Sequence, residues 1–368
     1  MLKMLSFFWC LMTITFCFAQ DCKLNKSLKV PTNRQVYMLG DFHLDAKQYI
    51  HAEDSTIKNT IAAEDALRNY LVDKCDVKHF FMESSVSFEY FFNKYFETGD
   101  TGWIFIFNQQ KYEIAKLESL RSIYVKHPDI SVNCIDVVQE SYVPQMLMTL
   151  YALSFYEHFQ EYYTPPLNNT PLFPPWNDIN VGIRLLDSLP QCNDTITPFL
   201  GAIIQSLIAP DVNTNYNLYY LFRLTLQSAQ AQEALQKFYG DDYSYVMRII
   251  RGYVFGYGKS LDDILFKYRQ QREDVIEETV KQLLVDNNSG AYLIQMGNAH
   301  LDADSTANML RYRLMQNNIT APFCFYNVQS MAKDFFEKTF HTTPLDFSFS
   351  SSYCFHRGPG DNVYVLVK

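Results

Sequence analysis

RQVYMLGDFH (residues 34–43) and AYLIQMGNAH (residues 291–300) decide the fold of this chain. In each stretch a short apolar run with β propensity leads into Gly-x-x-His. Chance places only about 0.3 Gly-x-x-His pairs in a chain with 13 glycines and 8 histidines. A glycine that ends a strand lets the backbone turn sharply, so the histidine three residues later returns over the sheet edge. Both stretches therefore predict a strand that carries a histidine to a site.

Strand and helix signals alternate after the first stretch. The helix signals cover residues 57–72, 86–96 and 110–125, and the strand signals cover residues 78–82 and 130–135. Glu64 and Arg68 interrupt the apolar stripe of the first helix, and their i,i+4 spacing predicts an ion pair at its edge. Strands that alternate with helices of this length indicate βαβ units and a mainly parallel sheet.

The alternation stops at residue 142, where a long helical pattern begins. Strand signals return at residues 291–296, 322–328 and 362–367. The sequence therefore predicts the α/β class: a mainly parallel sheet with flanking helices, interrupted by a large helical insertion. Its expected parts are a signal peptide (1–20), two parts of the α/β core (21–141 and 287–368) and the insertion (142–286).

The N-terminal 20 residues have the pattern of a secretory signal peptide. Lys3 is their only charge, an apolar run follows, and Ala19 precedes the expected cut. A retained anchor helix is the alternative reading. We expect a secreted or periplasmic protein without an integral membrane span after cleavage. Its net charge of −9 argues against nucleic-acid partners.

Six cysteines remain after that cleavage. An even number in an oxidising compartment permits three disulfides, although cysteines inside apolar strands are often buried thiols. Both alternatives stay open at the level of sequence. The six are Cys22, Cys75, Cys134, Cys192, Cys324 and Cys354.

Polar side chains follow four of the expected strands. They are Asp41 and His43 after the first strand, Glu83 after the second, Asp136 after the third and His300 after the fourth. The carboxyl ends of parallel strands are where an α/β sheet binds its ligands. We therefore expect these side chains to form one site.

Two chemistries suit this set of residues. His43, His300 and Glu83 form an N/O ligand set for a divalent metal such as Zn, Mn or Fe. Without a metal, Glu83 or Asp41 orients His43, which activates a water, and Asp136 supports them. Both indicate attack on a carbonyl group. The chain lacks HExxH, G-x-S-x-G, P-loop and GxGxxG motifs. The zincin, α/β-hydrolase, NTPase and dinucleotide-binding classes therefore lose their main support.

At these residues the sequence resembles the superfamily that joins Tiki/TraB-like proteins, erythromycin-esterase-like hydrolases and ChaN-type haem-uptake lipoproteins. The matching stretches are VYMLGDFH (36–43), HFFMES (79–84) and YLIQMGNAH (292–300). The resemblance implies that His43, Glu83 and His300 are active-site residues. Asp41 takes the place of the motif's acidic residue, which is more usually Glu.

The leading expectation is an exported hydrolase that cleaves an ester or peptide bond in a small-molecule or peptide substrate. His43 would be the general base or a metal ligand, and His300 the second ligand or the oxyanion stabiliser. The resemblance also implies a non-enzymatic alternative, a ChaN-type binder of haem or another small ligand. A third alternative is a degenerate member that only binds a partner.

Overall fold

The computed structural model describes residues 35–41, 54–107, 111–155, 195–208, 212–287, 289–301, 308–316, 323–329, 343–344, 353–357 and 362–367. Within these ranges eight strands form one sheet, in the order β3-β2-β4-β1-β5-β8-β7-β6. The strands are β1 (Val36–Asp41), β2 (Val77–Ser85), β3 (Ser131–Asp136), β4 (Ala291–Gly297), β5 (Phe323–Gln329), β6 (Thr343–Pro344), β7 (Tyr353–Arg357) and β8 (Asn362–Val367).

Six neighbouring strands, from β3 to β8 in that order, run parallel. The prediction of an α/β fold with a mainly parallel sheet is therefore confirmed. β7 runs antiparallel to β8, and β6 antiparallel to β7. The sequence analysis missed these two strands, which lie at one end of the sheet.

Helices make up most of the rest of the described chain. The α-helices are α1 (Asp54–Cys75), α2 (Glu89–Thr98), α3 (Lys111–Lys126), α4 (Val143–Ser154), α5 (Ile196–Ile208), α6 (Val212–Gln227), α7 (Ala229–Tyr239), α8 (Tyr243–Gly256), α9 (Arg269–Asp286) and α10 (Leu310–Gln316). In the described part of the chain, all elements between β3 and β4 are helical. None of the described helices is long and apolar enough to cross a membrane.

The sheet separates two hydrophobic cores because successive side chains of a strand point to opposite faces. Leu39 and Phe80 belong to the larger core, which helices α1 to α8 cover. Met38 and Phe81, one residue away in each strand, belong to the smaller core with residues of α9 and α10. The described elements thus form three layers, and α9 packs directly on the sheet.

The expected ion pair of α1 forms, but its position differs from the prediction. Arg68 Nη2 lies 2.5 Å from Glu64 Oε2, and the two side chains are only 0% and 2% exposed. Arg68 also donates to Gln295 Oε1 of β4 and to Ser119 Oγ of α3, each at 3.0 Å. The pair lies between the helix and the sheet because these neutral partners satisfy its remaining donors.

Cys75 and Cys134 are free thiols. Cys134 is fully buried in β3. This agrees with the second alternative of the sequence analysis, a buried thiol inside an apolar strand.

Candidate active site

The four strands that end in the expected site residues are neighbours, in the order β3-β2-β4-β1. Asp136 ends β3, Glu83 lies near the end of β2, and Asp41 at the end of β1 pairs in register with Gly297 of β4. A short 3-10 turn (Asn298–Leu301) follows β4 and carries His300. Parallel pairing brings all four strand ends to one edge of the sheet.

Glu83 is the centre of the described site. Its side chain is 8% exposed. Oε2 accepts a hydrogen bond from the backbone N–H of Gly297 at 2.6 Å. Oε1 accepts one from Arg272 Nη2, also at 2.6 Å, and lies 3.2 Å from His300 Nε2. Two hydrogen-bond donors and the His300 ring, from three different elements, therefore converge on one carboxylate and hold it in place.

Asp136 binds the other side of the Arg272 guanidinium. Arg272 Nε donates to Oδ1 at 2.9 Å and Nη2 donates to Oδ2 at 2.8 Å, a bidentate arrangement. The backbone N–H of Val137 also donates to Oδ1 at 2.8 Å. Burial alone lowers the pKa of Arg272, but Asp136 and then Glu83 outweigh it and raise that pKa, so the guanidinium stays charged.

His300 lies between two carboxylates. Its Nδ1 is 2.7 Å from Glu273 Oε1, in an ion pair without an aligned hydrogen bond, and its Nε2 faces Glu83. Burial lowers the pKa of His300, but the carboxylates of Glu83 and Glu273 outweigh that effect and raise it to about 10. The ring is therefore an imidazolium at neutral pH.

Two residues of this site were missed by the sequence analysis. Arg272 and Glu273 come from the first part of α9, inside the expected insertion. They continue a buried stripe through Ile276, Val280 and Leu283, with the spacing of one helical face. Two charged residues on an otherwise apolar helical face are a signal that the sequence does contain. Charged residues are rarely buried without partners, so a pair on such a face indicates a polar site beneath the helix.

The structure describes only part of the expected site. His43 lies outside the described residues, and of Asp41 only the backbone is described. Glu83, Asp136 and His300 are brought together as expected. The roles assigned to all five residues stay predictions.

The described donors fit a divalent metal poorly. The Arg272 charge lies 2.6 Å from Glu83 Oε1 and opposes a second cation at that oxygen. In the described ranges, no group of three or more His, Cys, Asp or Glu is arranged to hold a metal ion. Metal and haem binding stay predictions, which direct measurements have to test.

Fold and site together define an α/β protein with a buried His–carboxylate–Arg cluster at the carboxyl ends of its parallel strands. No family model matches the sequence, and no curated protein matches it either. Three solved structures are similar in fold over most of this chain. One is an erythromycin esterase mutant in its open conformation, with 12% identity, a TM-score of 0.45 and coverage of 88% of this chain and 76% of that chain.

The second is a Bacillus cereus protein, with 12% identity, a TM-score of 0.40 and coverage of 84% of this chain and 71% of that chain. The third is a succinoglycan biosynthesis protein, with 11% identity, a TM-score of 0.43 and coverage of 85% and 72%. Likeness of this degree does not assign an activity to the site.

Proposed function

We propose that the protein is an exported hydrolase that cleaves an ester or peptide bond by acid–base catalysis, with His300 as the general acid. The observation that carries this proposal is the position of His300 between Glu83 and Glu273 at the strand ends. Buried titratable groups with strongly shifted pKa values concentrate at functional sites.

The two nitrogens of His300 have different surroundings, which supports different roles. The contact of Nδ1 with Glu273 is the shorter one, at 2.7 Å, and it orients the ring. Nε2 lies 3.2 Å from Glu83 Oε1, and we assign to it the proton that is transferred. Glu83 is itself fixed by Arg272 and Gly297, and its charge stabilises the imidazolium.

The reaction requires a general base as well as this acid, and His43 is the candidate. Water attacks the carbonyl carbon while the base takes its proton. The Nε2 proton of His300 then passes to the leaving oxygen or nitrogen as the bond to the carbonyl carbon breaks. The proton held by the base returns to His300 through solvent, which restores the starting state.

The test compares H300Q and H43Q with H127Q on a panel of p-nitrophenyl esters and short peptides. General acid–base catalysis contributes about 10²- to 10⁴-fold, so we expect kcat in both site variants to fall by roughly that factor. His127 is a partly exposed histidine that pairs with Asp73 at 3.5 Å and precedes β3, whose opposite end carries Asp136, so H127Q should retain activity. Full activity in H300Q would contradict the proposal.

The alternatives are separated by two further measurements on the same proteins. If the wild type contains stoichiometric metal and H43Q/H300Q does not, metal-assisted hydrolysis becomes the mechanism in place of metal-free acid–base catalysis. A Soret band on titration with haemin, together with no hydrolysis, would favour a binder.

A further inference from the structure

The guanidinium of Arg272 has two N–H groups without a partner in the described part of the chain. A guanidinium carries five N–H groups in a fixed planar fork. Three of them, on Nε and Nη2, donate to Asp136 and Glu83. Both remaining N–H groups belong to Nη1, which donates to no residue within the ranges that the structure describes.

Nη1 is nevertheless not enclosed by protein. It is not one of the fully buried side-chain atoms that lack a partner in the described ranges, so it keeps contact with solvent. The side chains of the cluster are exposed by small and similar fractions: 7% for Arg272, 8% for Glu83 and 6% for His300. A ligand at this end of the sheet can therefore reach Nη1 in surroundings from which most water is excluded, where a charged donor is most effective.

The contacts on the other side of the guanidinium hold Nη1 in place. Asp136 accepts two hydrogen bonds, from Nε at 2.9 Å and from Nη2 at 2.8 Å, and Glu83 accepts one from Nη2 at 2.6 Å. A planar group fixed at three donors cannot turn, and an arginine keeps its charge in proteins. Nη1 is therefore a preorganised, charged donor, the kind of group that stabilises developing negative charge.

Nη1 also lies close to the proton that His300 is proposed to transfer. Glu83 Oε1 contacts Arg272 Nη2 at 2.6 Å and His300 Nε2 at 3.2 Å, so these two nitrogens are at most about 6 Å apart. A carbonyl oxygen and the leaving atom on the same carbon fit between donors at that separation. One Nη1 N–H is parallel to the N–H that binds Glu83, and the other points about 120° away from it. The second N–H can bind an oxyanion without placing it against the Glu83 carboxylate.

We propose that Arg272 is a further catalytic residue of the hydrolase proposed above, with Nη1 as the donor that stabilises the oxyanion. Water attacks the carbonyl carbon, its proton passes to the general base, and the electron pair of the C=O π bond moves onto the oxygen that Nη1 contacts. The pair returns as the bond to the leaving group breaks and that group takes the His300 Nε2 proton. Arg272 keeps all its protons. This inference rests on the proposed function, and it gives to Arg272 the oxyanion role that is one of the two expected for His300.

Replacement of the carbonyl oxygen by sulfur tests the assignment, because sulfur accepts hydrogen bonds more weakly. We compare the best substrate of the ester and peptide panel with its C=S analogue in wild type and R272K, which keeps the charge but loses Nη1. Loss of one oxyanion donor lowers kcat by about 10²- to 10³-fold, and we expect that loss for the C=O substrate. The preference for C=O over C=S should fall at least about tenfold, whereas a purely structural defect would slow both substrates alike.

Arg251 supplies the matched control, since it is also a helical arginine paired with a carboxylate, Glu278 Oε1, at 2.8 Å. R251K should cleave both substrates like the wild type. An unchanged preference in R272K would overturn the inference. So would a wild type that prefers C=O over C=S no more than hydroxide does, a result that depends on no variant.

Two further outcomes have a definite meaning. If R272K is folded by circular dichroism but cleaves neither substrate, calorimetric binding of phenyl methylphosphonate replaces the kinetic comparison, because this tetrahedral anion mimics the oxyanion. Its affinity should fall at least about tenfold in R272K, and equal affinity would overturn the inference. Absence of hydrolysis in the wild type would instead contradict the proposed function, and this inference with it.

Discussion

His300 shows how a single residue depends on its neighbours. A buried imidazole by itself prefers the neutral form, because burial disfavours charge. Here two carboxylates, Glu83 and Glu273, outweigh that effect and raise the pKa of the ring from 6.5 to about 10. The same contacts that position the ring therefore also determine its protonation state.

This shift makes the stability of the fold depend on pH. The folded state binds the His300 proton more tightly than the unfolded state does, so the stabilisation is fully present below pH 6.5 and is lost as the pH rises through about 10. Between these values the free energy of unfolding should fall by up to roughly 1 kcal/mol per pH unit from this group.

Urea denaturation across that range measures the slope in wild type, H300Q and H127Q. The free energy of unfolding of H300Q should fall less steeply with pH than that of the wild type, because the contribution of His300 is absent. H127Q should show the same pH dependence as the wild type. Equal slopes in H300Q and wild type would contradict the assigned contacts. The comparison uses slopes because H300Q also leaves the buried Glu273 carboxylate without its His300 partner.

At the scale of an element, the outer strand β3 is protected by side chains. Its Cys134 N–H donates to Glu89 Oε2 at 2.7 Å, and its Cys134 carbonyl accepts from Arg248 Nη1 at 3.1 Å. Glu89 and Arg248 are also bound to each other through two contacts of 2.7 Å. The pair thus occupies backbone groups that another strand would otherwise use, which is one way to block association at an edge.

A double-mutant cycle measures this protection. E89Q and R248M should each lower the free energy of unfolding by about 3–5 kcal/mol, because each removes one partner of a buried ion pair. The double variant E89Q/R248M should cost clearly less than the sum, since neither charge is then left alone. Additive losses in urea denaturation would show that the two residues act separately.

Two helical glycines give a second prediction at this scale. A Cβ on Gly256, the last residue of α8, would lie 1.8 Å from the carbonyl oxygen of Val138, whereas a Cβ on Gly201 in α5 would meet nothing within 4 Å. G256A should therefore destabilise the protein by about 1–3 kcal/mol or more. G201A should stabilise it by roughly 0.5–1 kcal/mol, because alanine has the higher helix propensity. Thermal and urea denaturation of both variants check the opposite signs.

In the molecule as a whole, the charged clusters connect the layers that the two hydrophobic cores form. Arg272 of α9 binds Glu83 of β2 and Asp136 of β3 on one side of the sheet. Arg68 of α1 binds Gln295 of β4 on the other. The described strand ends are therefore held from both sides, which is what a site built from several strands requires.

Cys134 offers a probe of global opening. It is 0% exposed, and burial followed by the Glu89 charge raises the pKa of its thiol well above the usual range. We expect iodoacetamide to react with Cys134 only after global unfolding. The labelling rate of Cys134 should therefore depend on urea concentration as global unfolding does. Peptide mapping by mass spectrometry should show faster labelling of the half-buried Cys75. Equal rates at both cysteines without urea would contradict this.

The sequence by itself determined where the main strands lie and which polar residues end them. Apolar runs of strand length and glycine turns are local signals, so β1 to β5 and β8 could be predicted close to their bounds. Local pattern also placed Glu83, Asp136 and His300 at strand ends. The strand β7 was missed although GPGD (358–361), between it and β8, is a local turn signal.

Only the tertiary structure decided which strand ends meet and what surrounds them. The order β3-β2-β4-β1 joins strands from distant parts of the chain, and no local pattern specifies that order. Arg272 and Glu273 belong to α9, and Arg272 lies 189 residues after Glu83 in the chain. Their burial and the charge of His300 follow from packing α9 against the sheet, because buried charges are stable only beside partners that long-range folding supplies.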